Sequence, residues 1–138
     1  MEVKKIMNRI KFALVVMPRY SISVFIFLLL VAVFFYAGGT LHDPGSKGYS
    51  FTRNFFSDLG ILSSQNIVSV VLFGMALLVC GLTFMIYFFY FMKLFNQNTI
   101  NSKLGKIGTL FGIIGAIFFI IVGFTPHNYF HDTHVLSV

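Results

Sequence analysis

Three long apolar stretches, each bounded by polar or turn-forming residues, set the layout of this chain. Ser21 to about Leu41 carries no charged residue. At about 1.5 Å per residue a helix of that length spans about 31 Å, enough for a hydrocarbon core of about 30 Å. A second stretch runs from about Ile67 to Met92, long enough to cross with some tilt, and a third from about Ile107 to Thr125. The pattern predicts an all-α polytopic membrane protein, with residues 1–138 forming one membrane domain. Three antiparallel transmembrane helices would cover about 21–41, 67–92 and 107–125, with connecting loops at about 42–66 and 126–138 on one face. Small residues at Ala37, Gly38 and Gly39 raise the alternative of a cleaved signal peptide, but the apolar and basic regions are too long for one. A retained helix is the reading.

Residues 1–19 follow a different pattern. Ile6, Ile10, Ala13, Leu14 and Met17 recur at helical spacing, and Lys4, Lys5, Asn8, Arg9 and Lys11 fill much of the remaining wheel. That is a basic amphipathic helix suited to an anionic membrane surface. Pro18 favours a helix start or a kink there. At the other end, His134 to Val138 reads as the first turn of another apolar helix, so the chain is expected to be part of a longer multi-pass protein.

Composition agrees: 57% of residues are hydrophobic, 10% charged, and the mean hydropathy is +0.88. The net charge of +6 does not point to nucleic acid, because the cations flank the apolar spans and form no stripe interleaved with aromatics. Lys4, Lys5, Arg9, Lys11, Arg19, Lys93, Lys103 and Lys106 fall on one side, and Lys47 and Arg53 on the other. This asymmetry predicts a plasma-membrane protein with a cytoplasmic N-terminus and both longer loops outside. The lone Cys80 allows no internal disulfide.

The third span carries Gly108, Gly112 and Ala116 at four-residue intervals. Such a small-residue face lets another helix approach closely, either the first or second span or, in a homo-oligomer, a second copy. The chemistry-bearing residues concentrate in the two outward segments. In the first, Asn54 can cap a helical turn, Asp58 lies four residues on, and Gly60 can form a left-handed stop. Phe51, Phe55, Phe56 and Leu59 would then rest in the membrane interface. Asp58 reads either as a local partner for backbone donors or as an ionisable ligand at the bilayer edge, with Arg53 as its nearest cation. The stretch His42-Asp43-Pro44-Gly45 reads as a turn.

In the second segment, a helix would place His127 and His131 at i, i+4 and His131 and His134 at i, i+3. Imidazoles at that spacing can hold zinc, with Asp132, Asp58, Asp43 or His42 completing a shell, although the spacing matches no established zinc signature. No cofactor is otherwise expected, and there is no phosphate-binding glycine loop, GxSxG elbow or cysteine metal pair.

The loop Asn54-Phe55-Phe56-Ser57-Asp58-Leu59-Gly60 after the first span, and Gly123-Phe124-Thr125-Pro126 with histidines beyond it, resemble the bacterial and archaeal multi-pass family named domain of unknown function 998. The resemblance covers most of the chain. It implies about six helical spans in an intact relative, so this chain would be a C-terminally truncated member, and it supplies no reaction. It singles out Asn54, Ser57, Asp58, Gly60, Pro126 and one of His131 or His134. A weaker likeness can be drawn to membrane hydrolases such as alkaline ceramidases, but their HxxxH pair lies in a late span. The expected protein is a non-enzymatic transport, sensing or assembly component with an outward cluster of Asn54, Ser57, Asp58, His127, His131 and His134. The alternative is a metal-dependent membrane hydrolase acting on a lipid or other amphiphile.

Overall fold

The structure, a computed structural model, describes residues 2–95 and 100–136. The polar connection at 96–98 therefore lies outside the described residues. All regular elements among the described residues are helical, and three of the helical runs are long and apolar enough to cross a membrane.

Helix α1 (Glu2–Lys11) passes through a π-helical segment (Phe12–Val16) directly into α2 (Met17–Phe35). Pro18 therefore does not separate a surface helix from a span. Its ring would crowd the carbonyl of Leu14, and the chain accommodates this by widening: the Met17 N–H donates to the Phe12 carbonyl, five residues back. The basic segment is consequently an extension of the first span.

That span ends at Phe35, short of Leu41. Gly38 and Gly39 take φ values of 124° and 85°, which L side chains rarely adopt, and residues 36–48 fold back as a small hairpin. Gly39 N–H donates to Ser46 O at 3.0 Å and Gly48 N–H to Ala37 O at 2.9 Å. A Cβ on Gly38 would run into the Ser46 carbonyl oxygen, so glycine is required there.

Helix α3 (Ile67–Met92) is the middle of the bundle. In its most apolar stretch 44% of positions are buried, against 11% in each of the other two spans. Helix α4 (Ile100–Phe124) begins before the predicted Ile107 because Ser102, Lys103 and Lys106 continue the helix beyond the apolar stretch. Where α3 and α4 cross, a Cβ on Gly74 would lie 2.8 Å from the Gly123 carbonyl oxygen, and one on Gly81 would lie 3.0 Å from that of Ala116. On Gly112 a Cβ would meet the Phe88 ring at 2.6 Å. Contacts this close let two backbones associate where lipid offers no hydrophobic driving force.

The expected small-residue face is thereby divided. Gly112 and Ala116 face α3, whereas Gly108 has no neighbour within 4 Å. The face in use runs through Gly105, Gly112, Ala116 and Gly123, whose heptad-like spacing suits nearly parallel helix axes.

Hydrogen bonds through Ser21 join α2 and α3 within the apolar layer: Thr83 Oγ1 donates to Ser21 Oγ at 2.8 Å, and Ser21 Oγ donates to the Val79 carbonyl at 3.4 Å. The main core lies towards the other end of these helices. There Leu29, Ala32 and Tyr36 meet Phe73, Ala76 and Leu77, and Leu59 from the loop between α2 and α3 closes the cluster.

Candidate functional site

The first loop is fixed to the bundle by an asparagine that the sequence did not single out. Asn66 is 1% exposed, immediately before α3. It accepts from the Ala37 N–H and donates to the Gly38 carbonyl, both at 2.9 Å. Its position reads as an ordinary helix cap, but the side chain makes no cap bond. It spends its amide on the glycine hairpin instead.

Asp58 lies in a short 3₁₀ helix (Phe56–Gly60) and is 2% exposed. Its Oδ2 accepts from Asn54 Nδ2 at 3.1 Å and from the Phe55 N–H at 2.9 Å, while the Ser50 N–H donates to Asn54 Oδ1 at 2.9 Å. Asn54 is therefore the link between Ser50 and Asp58, and the residue at the helix start is Phe55. Ser57 is half-buried beside them.

Gly60 does not form a left-handed stop, since the positive-φ glycines are Gly38, Gly39 and Gly48. Its lack of a side chain instead admits the Phe73 ring, which a Cβ would meet at 3.0 Å. Leu59 also departs from expectation, entering the protein core, while Phe51, Phe55 and Phe56 stay exposed.

Tyr36 and Tyr49 adjoin this carboxylate. Their rings meet edge to face at 5.9 Å, and the Tyr36 hydroxyl donates to the Gly39 carbonyl at 2.5 Å. Burial, together with the negative charge of Asp58 and then Tyr49, pushes the Tyr36 phenol up to about 12. Burial and Asp58 also raise Tyr49. Both phenols are hydrogen-bond donors at neutral pH.

Arg53 is not among the hydrogen-bond partners of Asp58 found in the described residues. With His42, Asp43 and Lys47 it lines a cavity of about 340 Å³ in the loop cap. His42-Asp43-Pro44-Gly45 forms the expected turn, in which the Gly45 N–H donates to Asp43 Oδ1 at 3.2 Å.

The segment after α4 starts with a turn in which the Tyr129 and Phe130 N–H groups donate to the Pro126 carbonyl. Helix α5 (His131–Leu136) begins only after it. His127 therefore stands ahead of the helix, in the turn that precedes it. The His127 ring stacks on that of His134, with centroids 5.0 Å apart. His134 is buried, with Nδ1 2.7 Å from the Thr125 carbonyl oxygen. The His131 side chain lies outside the described residues.

Asn128 joins the segment after α4 to the loop before α3. It accepts from the Leu62 N–H at 3.0 Å and donates to the Leu62 carbonyl at 2.9 Å. Among the described residues, no three His, Cys, Asp or Glu side chains come together as a metal-binding group.

These features define the class: among the described residues, an all-helical protein with three helices long and apolar enough to cross a membrane and a cross-braced cap of loops at one end of the bundle. No family model, curated protein or solved structure matches the chain.

Proposed function

We propose that the protein is a non-enzymatic assembly component of the plasma membrane, oriented with its N-terminus in the cytoplasm and its loop cap outside. The observation that carries this reading is the Asn54–Asp58–Phe55 network. Its polar groups brace the first loop from within, Asn128 ties that loop to the segment after α4, and the rings of Phe51, Phe55, Tyr129 and Phe130 remain on the surface. Exposed aromatic side chains on a stiff support suit contact with a neighbouring membrane protein. The eight-to-two distribution of cations supports the orientation. Kinship with the family named domain of unknown function 998 is part of the proposal, because the motif residues Asn54, Asp58 and Gly60 are those with structural tasks in the cap.

A photo-crosslinker placed at Phe55 or Tyr129 in cells tests the reading. The expected outcome is one discrete protein adduct; labelling of lipid alone would overturn it.

One observation favours a metal-dependent hydrolase as the second reading. The Thr125 carbonyl orients His134 through Nδ1, the type of outer contact that fixes a ligating imidazole and leaves Nε2 available. In this reading His127 and His134 would contribute to a zinc site. Stoichiometric zinc in the purified protein, lost in H127A/H134A, would establish this reading over the first.

A further inference from the structure

We propose that the basic end of the molecule seats one anionic phospholipid in a cleft between α1 and the end of α3. The cleft encloses about 670 Å³, within the range of ordinary ligand sites. Lys4, Lys5, Asn8 and Arg9 form its polar part. Lys4 and Asn8, and Lys5 and Arg9, are each four residues apart and so share one side of the helix. On the following turns the lining becomes apolar, with Phe12, Ala13 and Met17 opposite Ile86 and Tyr90. The wall thus changes from cationic to apolar along the axis of the span, matching the order of head and tail in a phospholipid.

Two further features favour that occupant. Among the described residues no carboxylate lines the cleft, and the Lys93 ammonium lies 4.7 Å from the centre of the Tyr90 ring on the opposite wall. The charge therefore selects an anion, as basic pockets between membrane helices do for acidic headgroups. An apolar floor at the end of a span adjoins the acyl layer, which gives a phospholipid an advantage over free phosphate. The π-helical segment lies at the polar–apolar junction, with Ala13 buried there.

The test is native mass spectrometry of the full chain in detergent, offered equal phosphatidylglycerol and phosphatidylcholine. The wild type should retain one phosphatidylglycerol in preference to phosphatidylcholine, and millimolar inorganic phosphate should not displace it. K4Q/K5Q/R9Q should lower that preference at least about tenfold, since each cation near such a headgroup contributes appreciably. K4R/K5R/R9K should keep it, and K103Q/K106Q on α4 should leave it unchanged. Equal retention of the two lipids by the wild type, displacement by phosphate, or full preference in the triple glutamine variant would overturn the proposal. The wild-type comparison needs no variant to fold. The inference is independent of the role proposed for the loop cap.

Discussion

Asn128 and Leu62 are joined by two hydrogen bonds, N–H to Oδ1 at 3.0 Å and Nδ2–H to carbonyl at 2.9 Å. One side chain thus substitutes for a peptide group and ties the segment after α4 to the loop before α3. Asn66 does the same for the hairpin after α2. The two amides give the cap its shape, with different expected weights because one is buried and the other exposed.

Replacing Asn66 with Ala leaves the Ala37 N–H and the Gly38 carbonyl without their partner in a buried site. The expected loss is about 2–4 kcal/mol, against about 1 kcal/mol for Asn128→Ala, where water can replace the amide. Cys80 is the sole cysteine and is buried, so the rise of thiol labelling on heating reports unfolding directly. Equal midpoints for the two variants would contradict the assignment.

Asp58→Ala should destabilise the cap by about 2–4 kcal/mol, because the Phe55 N–H and Asn54 lose a charged acceptor. Asp58→Asn should be milder, retaining one acceptor oxygen. Limited proteolysis between Phe51 and Phe56 should accelerate in the same order. A variant with wild-type protease resistance would show that the carboxylate is not what holds this loop.

The Tyr36 phenol ionises at about 12 in the folded protein, against an ordinary value of 10.0. A group whose value rises on folding contributes its full stability below the unfolded value. Between pH 10 and about 12 the unfolded chain loses this proton and the folded chain keeps it, so stability should fall through that window. Tyr36→Phe should remove part of the fall. Identical alkaline slopes for wild type and variant would count against this origin.

Gly74→Ala places a methyl carbon 2.8 Å from the Gly123 carbonyl oxygen and should cost about 1–3 kcal/mol by forcing α3 and α4 apart. Gly108→Ala meets nothing within 4 Å and should leave stability unchanged or slightly raised. If Gly108 mediates a homo-oligomer, Gly108→Leu should release monomers without lowering the unfolding midpoint.

The proposed orientation is open to cysteine mapping in a Cys80→Ala background. A cysteine at Ser50 should react with a membrane-impermeant maleimide added outside intact cells, and one at Leu94 only after permeabilisation. The reverse pattern would invert the molecule.

How much of this was legible in advance differs from residue to residue. The positions of the second and third spans follow from uninterrupted apolar runs, because a backbone in lipid must satisfy its own hydrogen bonds and does so as helix. The hairpin at Gly38 and Gly39 was partly legible: small residues were visible there, but their positive φ angles were not. The passage of the helix through Pro18 was hidden, since a π-turn and a kink begin from the same residue.

The sequence by itself determined the helical class, the number of spans in this stretch, and the gathering of histidines and aspartates in two segments, since periodicity and apolar length are local properties. Only the tertiary structure decided who meets whom. It paired His127 with His134 across a turn, gave Asp58 to Asn54 and the Phe55 N–H, divided Gly108 from Gly112, and assigned two inconspicuous asparagines to bind loop to loop. Those partnerships depend on where separate helices bring distant segments, and side-chain amides or imidazoles bond to whatever donor or acceptor that placement supplies.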